Sequence, residues 1–583
     1  MTTRKYTDTD VLIIGGGIAG IRAAIEASEQ GVEVLLANKG YVGRDGAAVW
    51  MAGGGYQAAL YPPDSTDQHI RDTIKAGYYL NRQDLVEAFL SLAPQSVEDL
   101  AKWRVRWRKE GGKYPQIRMM GETHPRSMMH TKPGGHLGGE YRKALPRQMK
   151  LKKNVNALQD TPMIDLLKNG DQVVGAVGID MKEGDFQVVR AKSTILATGG
   201  FMACYDFTTA NPTLTGDGHA MAYRAGAKMC DMEFVQFFPA ATLWPPNVYR
   251  DVYPYGLFFE MYAHLYNSLG ERFMERYYPL EKEFVPREAQ SRAICKEVRE
   301  GRGSPHGGAY LSLRHLPRNL LGHYLQQTYD IPWFKSLRAV GVDLQFDAVE
   351  IGPGAHYTQG GCVVTAKCET SLPGLYAAGE CAGGKDGADR LAGNALPFCM
   401  AMGYVAGKEA AKRAKSMDLP EMDQSHLEEI CEAALRPMDR ERGFHASALK
   451  KEVRKLMSTC NMYQRKGEEL EAALKRLAVV KKEKIPELSA ACKSRIFNLE
   501  WLHAIELKNM VDVCEMSMGS AVLRKETRGL HERADFPDED PTWTKNILIT
   551  RTGDDMRFTT EPVAFPYMKP PEASKKEATV AGQ

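Results

Sequence analysis

Apolar residues fall into three kinds of run along this chain, and each kind predicts a different element. Short unbroken runs read as buried strands: Val11 to Ile14, "VEVLL" at 32–36, and the start of "STILATGG" at 193–200. "GLYAAGECAGG" at 374–384 is another such strand ending in glycines. From 425 to 526 the runs are amphipathic and rich in charge, as in "EELEAALKRLAVVKKEK", and predict packed helices. The third kind is "EFVQFFP" at 233–239, with two adjacent phenylalanines ahead of a proline. It reads either as a core strand stopped by a residue that cannot donate to a ladder, or as a strand end with Phe238 in a pocket wall. Past about residue 541, prolines and mixed charge predict an extended arm rather than a domain.

Length and composition narrow the classes. A chain of 583 residues exceeds one compact core, so several domains are expected. With 43% hydrophobic and 26% charged residues it has the make-up of a soluble globular protein. A formal charge of +3 without a long basic run argues against nucleic acid as a partner. No apolar stretch reaches the roughly 18 residues a membrane span needs, and "MTTRKYTDTD" is no secretory signal. The expected location is cytoplasmic, with any membrane attachment indirect and made through partner subunits. Eleven cysteines without a C-x-x-C pair suit reduced thiols, not a cluster or zinc site, so no metal is expected. Cys362 and Cys381 read as small packing residues.

The strongest local chemistry lies at the start. The strand ending at Ile14 runs into Gly15, Gly17 and Gly20 in G-x-G-x-x-G spacing, then into an alanine-rich helix and the second strand. That unit lets backbone approach a pyrophosphate whose charge the helix N-terminus stabilises. Asn38 closes the second strand where an acid usually binds the ribose, and an amide bonds a hydroxyl without charge assistance.

The order of motifs resembles the flavoprotein subunits of fumarate reductase and succinate dehydrogenase, a group that includes L-aspartate oxidase and the adenylylsulfate reductase alpha subunit. From residue 10 to about 540 it is carried by "GGGIAG", "ATGG", "TGDG", "EFVQFFP", "GERFM", "VPREAQSRA", "YLSLRHL", "AHYTQGG", "GLYAAGECAGG", "GADRLAGNAL" and "ETRGLHERADFPDED". The resemblance implies an α/β fold: a Rossmann-type FAD-binding domain (1–236 and 353–420) interrupted by an α+β capping domain (237–352). A C-terminal helical domain (421–530) and the extended tail (531–583) follow. It implies FAD contacts from Gly15, Gly17, Ala19, Gly20, Asn38, Lys39, Arg44, Gly46, Gly54, Ala197, Thr198, Gly199, Asp217, Glu380, Arg390, Ala395 and Leu396. Members that bind FAD covalently carry a histidine where "GRDGAAVWMAGGG" has Gly46, so non-covalent FAD is expected.

The same resemblance implies the reacting residues. Arg287 matches the arginine that exchanges a proton with the substrate carbon, and Glu260 the carboxylate that resupplies it; His356 and Arg390 match the pair gripping one substrate carboxylate. Guanidinium and imidazole suit that task. On the opposite side the family's histidine and threonine, ligands of a second carboxylate, are replaced here by Phe238 and Phe259. The expected substrate is therefore a small acid with one carboxylate and an apolar or aromatic end. Electrons are expected from a separate iron–sulfur or other electron-transfer subunit. Alternatives remain: a conventional family member whose donors come from His264 or Tyr262, an adenylylsulfate reductase, or an electron-transfer subunit without an organic substrate.

Overall fold

A computed structural model describes residues 3–44, 55–128, 137–248, 262–327 and 332–571. Its largest sheet runs in the order β3-β2-β1-β6-β5-β4, with β1 Arg4–Ile14, β2 Val34–Ala37, β3 Val155–Leu158, β4 Met163–Asn169, β5 Gln172–Asp180 and β6 Asp185–Leu196. The β1, β2, β3 and β6 pairings are parallel, and β4 and β5 extend the sheet antiparallel. Leu375–Ala377 pairs parallel with β6, so a late segment completes a sheet begun at the N-terminus. Val11 to Ile14 are buried, as a strand covered on both faces requires. Helix α1, Ile18–Glu29, packs against it and against α4, Ala395–Lys415.

A second core, drawn from Phe238 to Ile351, belongs to the segment inserted in this nucleotide unit. Its sheet has the order β7-β10-β9-β8: β7 Val235–Trp244, β8 His264–Tyr266, β9 Ala309–Ser312 and β10 Val349–Thr358. The expectation that Pro239 stops its strand is corrected here. Strand β7 runs through it to Trp244, and the register with β10 shifts between Phe238 and Ala241. A proline without an N–H is tolerated at such an irregularity. Phe237 and Phe238 then part company. Phe237 joins the nucleotide-side core, 5.3 Å by ring centroid from both Tyr205 and Tyr463, whereas Phe238 joins the inserted core. Alternation along a strand sends neighbours to opposite faces.

Four helices follow: α5 Gln424–Asp439, α6 Ala446–Cys460, α7 Gly467–Val479 and α8 Leu499–Leu523. The last is buried along most of its length, with Leu499, Glu500 and Lys508 exposed. The extended arm expected after 541 is also corrected. The hairpin β11 Lys545–Thr552 and β12 Asp555–Pro562 pairs with Met229–Cys230, and Ile547 and Ile549 are fully buried. Mixed charge there marks the exposed face of a hairpin whose other face is covered. No helix among the described residues is long and apolar enough to cross a membrane.

Candidate functional site

The glycine loop after β1 divides its three glycines by task. Gly15 has φ of +112°, and a Cβ there would collide with the Ala197 carbonyl; a Cβ on Gly20 would collide with Gly15 O. Both are needed for close packing. A Cβ on Gly17, the N-cap of α1, would meet nothing within 4 Å, and no side chain caps that helix. Open space above an uncapped N-terminus fits a pyrophosphate. Asn38 Oδ1 accepts from Gly16 N at 2.8 Å, while its Nδ2 is buried without a partner among the described residues. That donor fits a ribose hydroxyl. Ala197, Thr198 and Gly199 follow β6 beside this loop, and Glu380 is buried against β10, accepting from Thr358 N at 3.0 Å. Ala395 and Leu396 open α4. These residues fit FAD.

Lys39 and Asp217, both expected to contact the cofactor, are paired with each other. Lys39 Nζ pairs with Asp217 at 2.6 Å and with Glu506 at 2.8 Å, and Glu506 pairs with Lys450 at 2.5 Å. The two lysines hold Glu506 down to about 2, overcoming burial. This network ties the end of β2, the helix α2 Asp217–Ala225 and α8 together. Ala19 is buried inside α1, and Arg44 is exposed at the edge of the described chain. Gly46, Gly54, Phe259 and Glu260 lie outside the described residues.

Strands β7 and β10 bring the remaining residues together. His356 Nδ1 meets Thr209 Oγ1 at 2.8 Å. Burial, then the Arg287 and Arg390 guanidiniums, hold its pKa well below the usual imidazole value, so the ring is neutral. In the tautomer whose Nδ1 accepts from Thr209, the one proton sits on Nε2, where it can be donated to an anion. Arg390 is 5% exposed, stacks over Tyr357 at 4.4 Å and donates from Nη2 to Gln236 Oε1 at 2.6 Å. Its Nε is buried without an acceptor among the described residues, a donor left for a ligand. Arg287 begins the helix α3 Arg287–Arg299, which Ser291 ties to the Phe237 carbonyl at 3.2 Å.

Phe238 sits among these groups. Its ring lies 5.4 Å from the His356 ring, and Arg287 Cζ lies 5.2 Å above its centre. A cation over an aromatic face is attracted by the ring quadrupole, worth about 0.5–2 kcal/mol. His264 is elsewhere. It lies on β8, two strands from β10, stacked on His315 at 3.6 Å with Nδ1 at 3.2 Å from Tyr266. Tyr262 is 65% exposed. Sequence reasoning missed Thr209, Gln236 and Tyr357. Gln236 and Tyr357 stand inside quoted motifs, but Thr209 is 147 residues from the histidine it orients.

Comparison with known proteins agrees with this geometry. Residues 10–396 match the family described as "FAD binding domain", and residues 450–576 that of "Fumarate reductase flavoprotein C-term". The chain is 35% identical to a fumarate reductase (CoM/CoB) subunit of Methanothermobacter marburgensis, over 93% of this chain and 97% of that one. It is 32% identical to the fumarate reductase flavoprotein subunit of a Serratia species, over 91% of this chain and 89% of the other. A solved mutant of E. coli quinol fumarate reductase superposes with a TM-score of 0.89 at 27% identity, covering 97% of this chain and 99% of its own.

Proposed function

The chain belongs to the fumarate reductase and succinate dehydrogenase flavoprotein family, and we propose that it reduces, or in reverse forms, the C=C bond beside a carboxylate in a substrate with one carboxylate and an apolar or aromatic end. It is an FAD-dependent oxidoreductase. Bound FAD, here taken as non-covalent, supplies hydride transfer to or from one carbon.

Arg390 and His356 Nε2 grip the carboxylate and draw electron density from the double bond. Arg287 moves the proton at the other carbon, with Glu260 as the resupplying carboxylate, because free guanidinium barely deprotonates. Positioning and fixed charge carry most of the acceleration.

The observation that supports the substrate class is Phe238, packed between His356 and Arg287 where a second carboxylate needs a donor. Burying that carboxylate against phenyl rings costs several kcal/mol. One remaining good contact returns only about 1–3 kcal/mol. A separate electron-transfer partner, iron–sulfur or other, is part of the proposal; both relatives are named as subunits of larger enzymes, which supports it. Through such a partner a cytoplasmic chain would reach the inner face of the membrane.

The relatives' names favour a second reading, a conventional fumarate reductase. Anaerobic reduction followed by reoxidation with fumarate, crotonate, cinnamate or adenylylsulfate separates the two. Fast reoxidation by crotonate or cinnamate, with fumarate slow, supports the monocarboxylate pocket. Fumarate as the fastest acceptor supports the conventional reading.

A further inference from the structure

Two carboxyls stand directly behind the two arginines and have no task in the reaction above. Glu288 follows Arg287 on the first turn of α3, and Asp389 precedes Arg390 in the loop before α4. They are 7% and 9% exposed. The two carboxyls are near enough for each to perturb the other's titration directly. Among the described residues, the buried Oε2 of Glu288 receives no hydrogen bond from an N–H or hydroxyl. Ionised carboxylates only accept, so two of them in contact away from water require a proton between them.

Asp389 also reaches outward. Its Oδ1 accepts from Gln236 Nε2 at 2.7 Å, while Gln236 Oε1 accepts from Arg390 Nη2 at 2.6 Å. The Asp389 oxygen, with the Arg390 carbonyl that accepts from the same Nε2 at 3.2 Å, thus decides which end of the Gln236 amide faces the guanidinium. Turned over, the amide would set N–H against N–H at Arg390 and oxygen against oxygen at Asp389.

We propose that Glu288 and Asp389 share a single proton and, through Gln236, act as positioning residues that aim Arg390 at the substrate carboxylate. This rests on the assignment of Arg390 to that carboxylate under the proposed function. Burial, then the neighbouring Glu288 charge, pushes Asp389 well above the usual carboxylate range, and burial pushes Glu288 up as well. The groups facing the pair are the guanidiniums of Arg287, Arg292 and Arg390 and the hydroxyls of Tyr78 and Tyr463. While the proton is held, the pair adds one negative charge behind the clamp. When it leaves, a second charge competes with the substrate for the same cations. Carboxylate binding at high pH therefore draws the proton back.

Titration calorimetry of the FAD-loaded protein with crotonate, from about pH 6 to about pH 10, reads both affinity and proton uptake. The wild type is expected to lose about tenfold or more in affinity up this range, with proton uptake on binding at its upper end. Asp389→Asn and Glu288→Gln keep the carboxyl-to-amide bond without a shared proton, and both should give flat profiles. Asp389→Leu removes the nearer of the two acceptors for Gln236 Nε2 and should bind more weakly than wild type at every pH. A wild-type slope persisting in Asp389→Asn and Glu288→Gln, or Asp389→Leu binding like wild type, overturns the proposal. A flat wild-type profile overturns the shared proton and leaves the clamp standing. Wild type that binds crotonate at no pH overturns the clamp and the proposal together.

Discussion

The carboxylate clamp and the wall facing it share two strands and are built by opposite rules. On the clamp side each polar group is held from behind: Arg390 by Gln236 and the Tyr357 ring, Gln236 in turn by Asp389, and His356 by Thr209. On the proposed wall side one ring among the described residues, Phe238, stands two residues along the strand from Gln236 and meets both His356 and Arg287. The clamp is over-determined, so a change there spreads through a network. The described part of the wall is one side chain belonging to the inserted core. Chemistry in this site should therefore be hard to move and substrate choice easy.

The comparison can be broken from the chemical side first. Arg287→Gln should cut flavin reoxidation by crotonate by about 10²–10⁴, the span of a lost general acid, while crotonate still binds. Stopped-flow reoxidation and equilibrium titration read the two separately. Arg390→Met strikes the clamp itself and should weaken crotonate binding by about 2–5 kcal/mol, visible in Kd. A smaller effect lies further back. Gln57 Nε2 bonds both Glu122 and the Ala392 carbonyl, bracing the loop that carries Arg390. Burial pushes Glu122 up to about 7 from an ordinary 4.5. The folded state then holds this proton more tightly than the unfolded chain. Its contribution to stability is present below about 4.5 and falls as pH rises towards about 7. Thermal unfolding across that window should show a pH-dependent loss that Glu122→Gln lacks.

The nucleotide end was legible because its signal is local. Gly15 and Gly20 meet close backbone and Gly17 leaves open space, all within six residues, and strand, helix and strand flank them. The proposed clamp residues were named through motif order alone; Arg390 and His356 lie in separate segments that only the fold brings together. What stayed hidden depends on distant pairing. β11 joins Met229–Cys230 across some three hundred residues, so its apolar face looked like part of a loose tail. Pro239 looked like a stop because the register shift that accommodates it belongs to β10 as much as to its own strand. The Glu288–Asp389 contact joins two residues about a hundred positions apart, and each alone reads as the surface partner of the arginine beside it. The ambiguity of the two phenylalanines resolves by face. Phe237 is core to one unit, and Phe238 is core to the other while touching His356 and Arg287.

The most direct measurement of the substrate claim is the ratio of fumarate to crotonate reoxidation rates in wild type and in Phe238→His. The substitution returns a donor to the wall opposite an unchanged clamp. A charge-assisted hydrogen bond of about 1.5–3 kcal/mol should move the ratio towards fumarate by tenfold or more. A ratio that Phe238→His leaves unchanged, or a wild type that already prefers fumarate, would contradict a pocket walled by Phe238.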